Sequence, residues 1–153
     1  EETQHIEKKS LRVIAGINPD WKELAKDCVC FANARGGTIY IGIENNDALP
    51  ASQKIDNELP ARVRKRISES TVNVATHAEL IVAENGGEYI ELRILPSAST
   101  IASTTDGRYY IRISDDCKPV LPDELSRLYT DKSAFQWETK VGRSVSKSEI
   151  DEE

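Results

Sequence analysis

The sequence predicts an α+β domain in which a mixed β-sheet is flanked by helices. The predicted elements follow the order strand, helix, strand, helix, hairpin, strand and helix, which contains too few crossovers for a doubly wound sheet. The chain has 153 residues, 39% of them hydrophobic and 30% charged, which suits one ordinary core and is too apolar for disorder. No apolar run approaches the roughly 18 residues of a membrane helix. We therefore expect one domain over residues 1–133, cytoplasmic and without a membrane partner.

The first helix and the strand after it form the clearest pair of elements. Asp20, with Glu23 three residues later, is a capping-box pattern, and apolar residues then recur at helical spacing. These features predict a helix over 21–34. Gly36-Gly37 ends it, because the chain must turn there within two residues. The next segment alternates isoleucines with polar residues, which predicts a strand over 38–44 with one buried face.

The remaining elements follow from apolar spacing and turn residues. Leu59, Val63 and Ile67 recur at i, i+4 and i+8, as they do on the buried face of a helix. Asn85-Gly86-Gly87 separates two strand-like runs and is typical of a hairpin. We expect a helix at 56–70, hairpin strands at 78–84 and 88–95, a strand at 109–114 and a helix from about 122.

Side chains on the first helix carry two further expectations. Cys28 and Cys30 lie about 200° apart around a helix axis, so the two cannot share a metal or a disulfide, and with Cys117 we expect them as buried reduced thiols. Asn33 is expected to hold the turn after the helix by side-chain hydrogen bonds to the backbone.

The end of the chain has a different character. After about Ser133 the periodicity disappears, and residues 134–153 are polar with scattered Ser, Gly and charge. We interpret this segment as a tail or linker. The sequence contains no Met, so we expect the chain to be a piece of a longer protein, with a C-terminal region outside it.

Charge and motif content restrict the function. The net charge of -6 argues against coating nucleic acid by bulk electrostatics, although a local patch can still bind phosphates. Walker, G-x-G-x-x-G, G-x-S-x-G and H-E-x-x-H motifs are absent from the sequence, and we expect no cofactor. A cluster of basic residues lies on the outer face of the second predicted helix. These residues can bind successive phosphates, or they can form an ordinary solvated helix face. The members of the cluster are Arg62, Arg64, Lys65 and Arg66.

The most specific stretch runs from Phe31 to Glu44, FANARGGTIYIGIE. With it the sequence resembles the Schlafen-type Alba-like DNA-binding domain, in which a helix ends in an A-F-A-N-T-x-G-G-like run and continues into an I-G-V-D/E-like strand. Two further marks match in order: Glu2 followed by Glu7-Lys8-Lys9, and the run Tyr109-Tyr110-Ile111-Arg112. The resemblance implies a mixed sheet flanked by helices and nucleic-acid binding, most often of DNA. It also implies the front end of a larger transcriptional regulator or helicase-type protein.

The resemblance also implies an alternative from the enzyme class. In vertebrate Schlafens the related domain carries a metal-dependent RNase site made of three acidic residues. Position by position these correspond to Glu2, Glu7 and Glu44, with Glu44 in place of the usual Asp. Three converging carboxylates could bind Mg²⁺ or Mn²⁺ and polarise a phosphate. Ordinary ion pairing of Glu7 and Glu44 with Lys9 or Arg112 is the competing interpretation.

We predict a nucleic-acid-binding domain rather than an enzyme. Tyrosines 40, 89, 109 and 110 could stack bases on a sheet face or could simply pack. A protein-interaction module, including a homo-oligomer, is the third hypothesis. The predicted phosphate contacts are Lys9, Arg62, Arg64, Lys65, Arg66, Arg93 and Arg112.

Overall fold

The computed structural model describes residues 5–15, 17–97 and 99–130, and the predicted tail and Glu2 lie outside these ranges. A 3-10 turn, Leu11–Val13, follows the first strand, and residues 122–130 are helical. The other elements are β1 (Ile6–Lys9), α1 (Trp21–Asn33), β2 (Gly37–Ile41), α2 (Leu59–Ser70), β3 (Thr71–Val72), β4 (Thr76–Val82), β5 (Glu88–Ile94), β6 (Ser103–Thr104), β7 (Tyr110–Ile113) and β8 (Asp116–Pro119).

The main sheet has four strands in the order β1-β2-β5-β4. β1 is parallel to β2, with α1 in the crossover between them, whereas β2–β5 and β5–β4 are antiparallel. Two small sheets, β3–β6 and β7–β8, complete the described part. The predicted α+β class with a mixed sheet and flanking helices is therefore confirmed.

The core lies between the main sheet and the two helices. Ile39 is level with Leu92, and Ile41 with Ile90, so apolar side chains form rows across one sheet face. These rows join the buried residues of α1 and α2 in one hydrophobic cluster. The opposite face carries Tyr40 and its neighbours, which are half-buried or exposed. The two helices thus cover one side of the sheet and leave the other side open.

Local signals in the sequence account for most element ends. The Asp20 side chain accepts a hydrogen bond from the Glu23 N–H at 3.1 Å, which is the predicted cap of α1. Pro60 lies in the first turn of α2, where a missing N–H is tolerated. β2 ends at Ile41, three residues earlier than predicted, because Gly42 has a φ of 114° and turns the chain out of the strand.

The Gly36-Gly37 turn depends on close backbone approach. Gly36 has a φ of 76°, and its N–H donates to the Phe31 carbonyl at 2.8 Å, which closes the end of α1. A Cβ at Gly36 would lie 2.6 Å from the Ile94 carbonyl oxygen, and one at Gly37 would overlap the Phe31 ring. Only glycine lets the chain leave α1 and enter β2 this tightly.

Asn33 bonds to the backbone as expected, but its partners are distant in sequence. The side chain is buried, and its Nδ2 donates to the carbonyls of Ala102 and Tyr110, both at 2.9 Å. Its Oδ1 accepts from the Ala102 N–H at 2.8 Å. Asn33 therefore connects the end of α1 to Ala102, just before β6, and to Tyr110 of β7.

The cysteine prediction is corrected by the structure. Cys30 and Cys117 form a disulfide with a Cα–Cα distance of 5.7 Å, which joins α1 to β8 across 87 residues. The sequence argument excluded only the Cys28–Cys30 pair and could not see that β8 folds back onto α1. Cys28 is the free cysteine, and burial raises the pKa of its thiol.

Replacing Asn33 by Leu should destabilise the domain. The change leaves two carbonyls and one N–H without their buried partner, at about 1 kcal/mol each. We expect a melting temperature lower by about 10 °C, at about 3 °C per kcal/mol. Asn46→Leu, in an exposed turn, is the matched control and should shift melting little. Equal shifts in the two variants would contradict the assigned role.

Thiol titration tests the disulfide directly. The chain has three cysteines, and Cys30–Cys117 accounts for two. Alkylation of denatured protein without reductant should label one thiol per chain, at Cys28, and labelling after reduction should reach all three. Three labelled thiols before reduction, in protein purified without reductant, would restore the original prediction.

Candidate nucleic-acid interface

The outer side of α2 carries a group of cations, here called the basic face: Arg62, Arg64, Lys65 and Arg66. Leu59, Val63 and Ile67 bury the opposite side of the helix in the core, which forces the four cations outward. All four are exposed. Within the described residues, none of them forms a salt bridge. Their charges are thus available to an external anion.

Three of these cations share one flank of the helix. Arg62, Lys65 and Arg66 follow i, i+3, i+4 spacing, whereas Arg64 is turned about 200° from Arg62 around the axis. The Arg66 guanidinium stands over the ring of Trp21, 5.0 Å from its centroid, at the start of α1. This contact orients one cation of the flank and leaves its outer edge exposed.

Arg112 was predicted to contact phosphate, and the structure places it in the core instead. Its side chain is 1% exposed, and Nη1 lies 2.6 Å from Oε2 of Glu7. The guanidinium stands 4.4 Å from the centroid of the Phe31 ring, and Nη2 donates to the Ile6 carbonyl at 3.3 Å. A guanidinium held in this way is out of reach of an external phosphate. Its role is to join β7 to β1 and α1.

Lys9 is also largely buried. Its Nζ lies 2.8 Å from Oδ2 of Asp27 on α1 and 3.5 Å from Glu23. Burial alone would lower the pKa of Lys9, but the Asp27, Glu7 and Glu23 carboxylates outweigh it and raise that pKa. Burial raises the pKa of Asp27, against the opposing effect of Lys9. Lys9 thus fixes β1 to α1 and is not presented to a ligand.

The three acidic residues of the RNase hypothesis have different surroundings. Glu7 lies on β1, level with Ile39 on the helix side of the sheet, and is paired with Arg112. Glu44 was expected at the end of the strand predicted over 38–44 but lies three residues beyond β2, exposed and 3.8 Å from Arg12. Glu2 lies outside the described residues. Among those residues no group of three His, Cys, Asp or Glu side chains could hold a metal ion.

The open face of the sheet carries charges of both signs. Arg93 is exposed there, and its Nε lies 3.2 Å from Glu91 on the same strand. Tyr40 and Tyr89 meet edge to face, with ring centroids 5.9 Å apart. Tyr110 and Arg112, expected on the same sheet, lie instead on the β7–β8 hairpin. The exposed charges of this sheet face are therefore of both signs, whereas those of the basic face of α2 are all positive.

Sequence reasoning missed Trp21 and the cleft beside it. Trp21 is half-buried, packs against the core cluster and supports Arg66. The next residue, Lys22, lines a cleft of about 550 Å³ between α1, the end of α2, and the β6–β7 region. The signal that could have revealed Trp21 is its position, since the first residue of a helix projects beyond the core.

The fold and the basic face together define a small two-layer α+β domain with a cationic helix turned to solvent. The chain belongs to the Schlafen AlbA_2 family, whose model ("Schlafen, AlbA_2") matches residues 2–121. Membership of this family suggests nucleic-acid binding at a general level. The predicted resemblance to the Schlafen-type Alba-like domain is confirmed at the level of the family.

A solved structure shares the fold. The DIP2311 protein from Corynebacterium diphtheriae is similar with a TM-score of 0.56 and 23% identity, over 76% of this chain and 26% of its own. This chain thus spans about a quarter of that protein's length. No curated protein is significantly similar in sequence to this chain. None of the helices that the structure describes has the length and apolarity needed to cross a bilayer.

Removing the Glu7 carboxylate should destabilise the domain, because buried Arg112 would lose the charged partner that lies 2.6 Å from its Nη1. For Glu7→Gln we expect a loss of about 3 kcal/mol in unfolding free energy, measured by urea denaturation. The control is Glu44→Gln, at an exposed pair with Arg12, where the loss should stay below about 0.5 kcal/mol. Similar losses in the two variants would remove the argument that Glu7 is structural.

Proposed function

We propose that this domain binds nucleic acid through the basic face of α2. The observation that carries the proposal is the exposure of four cations within five residues, Arg62 to Arg66, with no salt bridge to a described acidic residue. Cations in this state can displace the counter-ions of a phosphate backbone without first breaking an intramolecular pair. Family membership supports the same class of ligand.

The other predicted phosphate contacts support binding less well. Lys9 and Arg112 are engaged with Asp27 and Glu7 inside the domain, so releasing them would cost stability. Arg93 is accessible, but Glu91 lies beside it and would repel an approaching phosphate. Of the predicted contacts, the basic face is the part whose cations form no salt bridge with a described acidic residue.

We further propose DNA as the ligand and a larger transcriptional regulator or helicase-type protein as the setting. The support is the resemblance to Schlafen-type domains and the net charge of -6, which confines binding to a local patch. A patch of this size holds a few phosphates, so we expect weak binding by the isolated domain that depends strongly on salt. A further domain of the full protein would then supply added affinity.

The test is a triple variant of the flank, Arg62→Ala, Lys65→Ala and Arg66→Ala. Binding of labelled duplex and single-stranded oligonucleotides is followed by fluorescence anisotropy over a range of salt concentrations. The slope of log K against log salt should fall by about 0.9 for each lost duplex contact and by about 0.7 for each lost single-strand contact. Affinity should fall at every salt concentration.

A charge-matched control removes three exposed cations elsewhere: Lys54, Lys118 and Arg127. This control has the same net charge as the flank variant and should keep most of the affinity and slope. If the two triple variants lose the same affinity, binding reflects overall charge and the basic face is not the interface. If the flank variant keeps the full slope, the interface lies on another surface.

A further inference from the structure

We propose that the cleft beside α1 receives one unpaired nucleotide of a bound strand. This inference rests on the proposed function and names the form of nucleic acid that the domain prefers. The cleft has a volume of about 550 Å³, which is the scale of a small-ligand site. It is bounded by the first turns of α1, the end of α2, and the segment from Thr104 to Tyr110.

The lining offers a partner for each part of a nucleotide. Lys22 is a cation at the exposed rim and can contact phosphate, whereas Arg108, also at the rim, is paired with Asp106. The hydroxyls of Ser70 and Thr105 can bond the sugar. The ring of Tyr110 offers an aromatic surface for a base that displaces the Lys26 ammonium, which stands over the ring at 5.9 Å from its centroid.

Carboxylates also line the cleft, and their negative charge limits the kinds of ligand that the cleft can bind. Asp20 caps α1 through the Glu23 N–H, Glu23 lies 3.5 Å from Lys26, and Asp106 bonds Thr104 and lies 3.4 Å from Arg108. The lining is thus balanced in charge and does not favour a bare polyanion. A nucleotide carries a phosphate and, in most bases, amino groups that donate to carboxylate oxygens, so it matches both signs.

Residues of the cleft and of the basic face are near neighbours along α1 and α2. Ser70, which lines the cleft, is the last residue of α2 and lies four residues after Arg66, about 6 Å along the helix. Lys22 directly follows Trp21, the ring beneath Arg66. A strand whose backbone lies on Arg62 and Arg66 therefore reaches the cleft within about one nucleotide. Bases stacked and paired in a duplex cannot enter it, so the cleft selects unpaired nucleotides.

The experiment compares three probes by fluorescence anisotropy: a single strand, the same strand with abasic sites throughout, and its duplex. Wild-type protein should bind the ordinary strand most tightly. Tyr110→Leu, which keeps an apolar side chain but removes the aromatic surface, should weaken binding of the ordinary strand about tenfold and leave the abasic strand unchanged. Tyr89→Leu, on the open sheet face, is the matched control and should bind all three probes like wild type.

A second variant guards against loss of folding at Tyr110. Lys22 is exposed, so Lys22→Glu should melt like wild type and still weaken binding of the ordinary strand. Lys118→Glu makes the same charge change on β8 and should have a smaller effect. If the protein binds the duplex as tightly as the single strand, and Lys22→Glu binds like Lys118→Glu, the proposal for the cleft is wrong. Binding through the basic face would not be contradicted by that result. If none of the three probes binds, both the cleft and the proposed function fall.

Discussion

The buried ion pair between Arg112 and Glu7 is the contact on which the second half of the domain depends. Within the described residues the β7–β8 hairpin forms no hydrogen-bonded ladder with the main sheet, so side chains hold it. Arg112 extends from β7, stands over Phe31 and bonds Glu7, while Asn33 bonds the Tyr110 carbonyl. The Cys30–Cys117 disulfide adds a covalent link to the same helix. All three contacts meet on the C-terminal half of α1. Losing one of them therefore weakens the packing that supports the other two.

This arrangement separates residues that identify the family from residues that are free to bind. The matched runs around Glu7, Asn33 and Arg112 are occupied in joining β1, α1 and β7. A buried charged pair costs desolvation energy, which only close geometry and added hydrogen bonds can repay. Such residues cannot leave for a ligand without loosening the fold. The exposed cations of α2 carry no such constraint, so we place recognition there, on the outer side of the helix layer and away from the open sheet face.

The sequence predicted what depends on neighbours along the chain. The cap at Asp20, the start of α2 near Pro60 and the β4–β5 hairpin turn all follow from residues within a few positions of one another. It did not predict contacts between distant segments. Arg112 meets Glu7 across 105 residues and Asn33 meets Ala102 across 69, so polar residues that looked available prove to be buried. Of the candidate interface, the basic helix face could be predicted because its 3.6-residue periodicity is local. The cleft could not be predicted, since three segments distant in sequence form it.

The most direct test of this account is a map of backbone amide chemical shifts during titration with a single-stranded oligonucleotide. We predict that shifts concentrate on residues 62–70 of α2 and on Trp21 and Lys22, with smaller changes near Thr105. The Tyr110 amide should also shift, because a base in the cleft would lie against its ring. Amides of β1 and of the rest of β7, including Glu7 and Arg112, should stay close to their free positions, since those two side chains remain paired. Shifts concentrated on β1 and on residues 111–113, or on Tyr40 and Arg93 of the open sheet face, would contradict the account and move recognition away from α2.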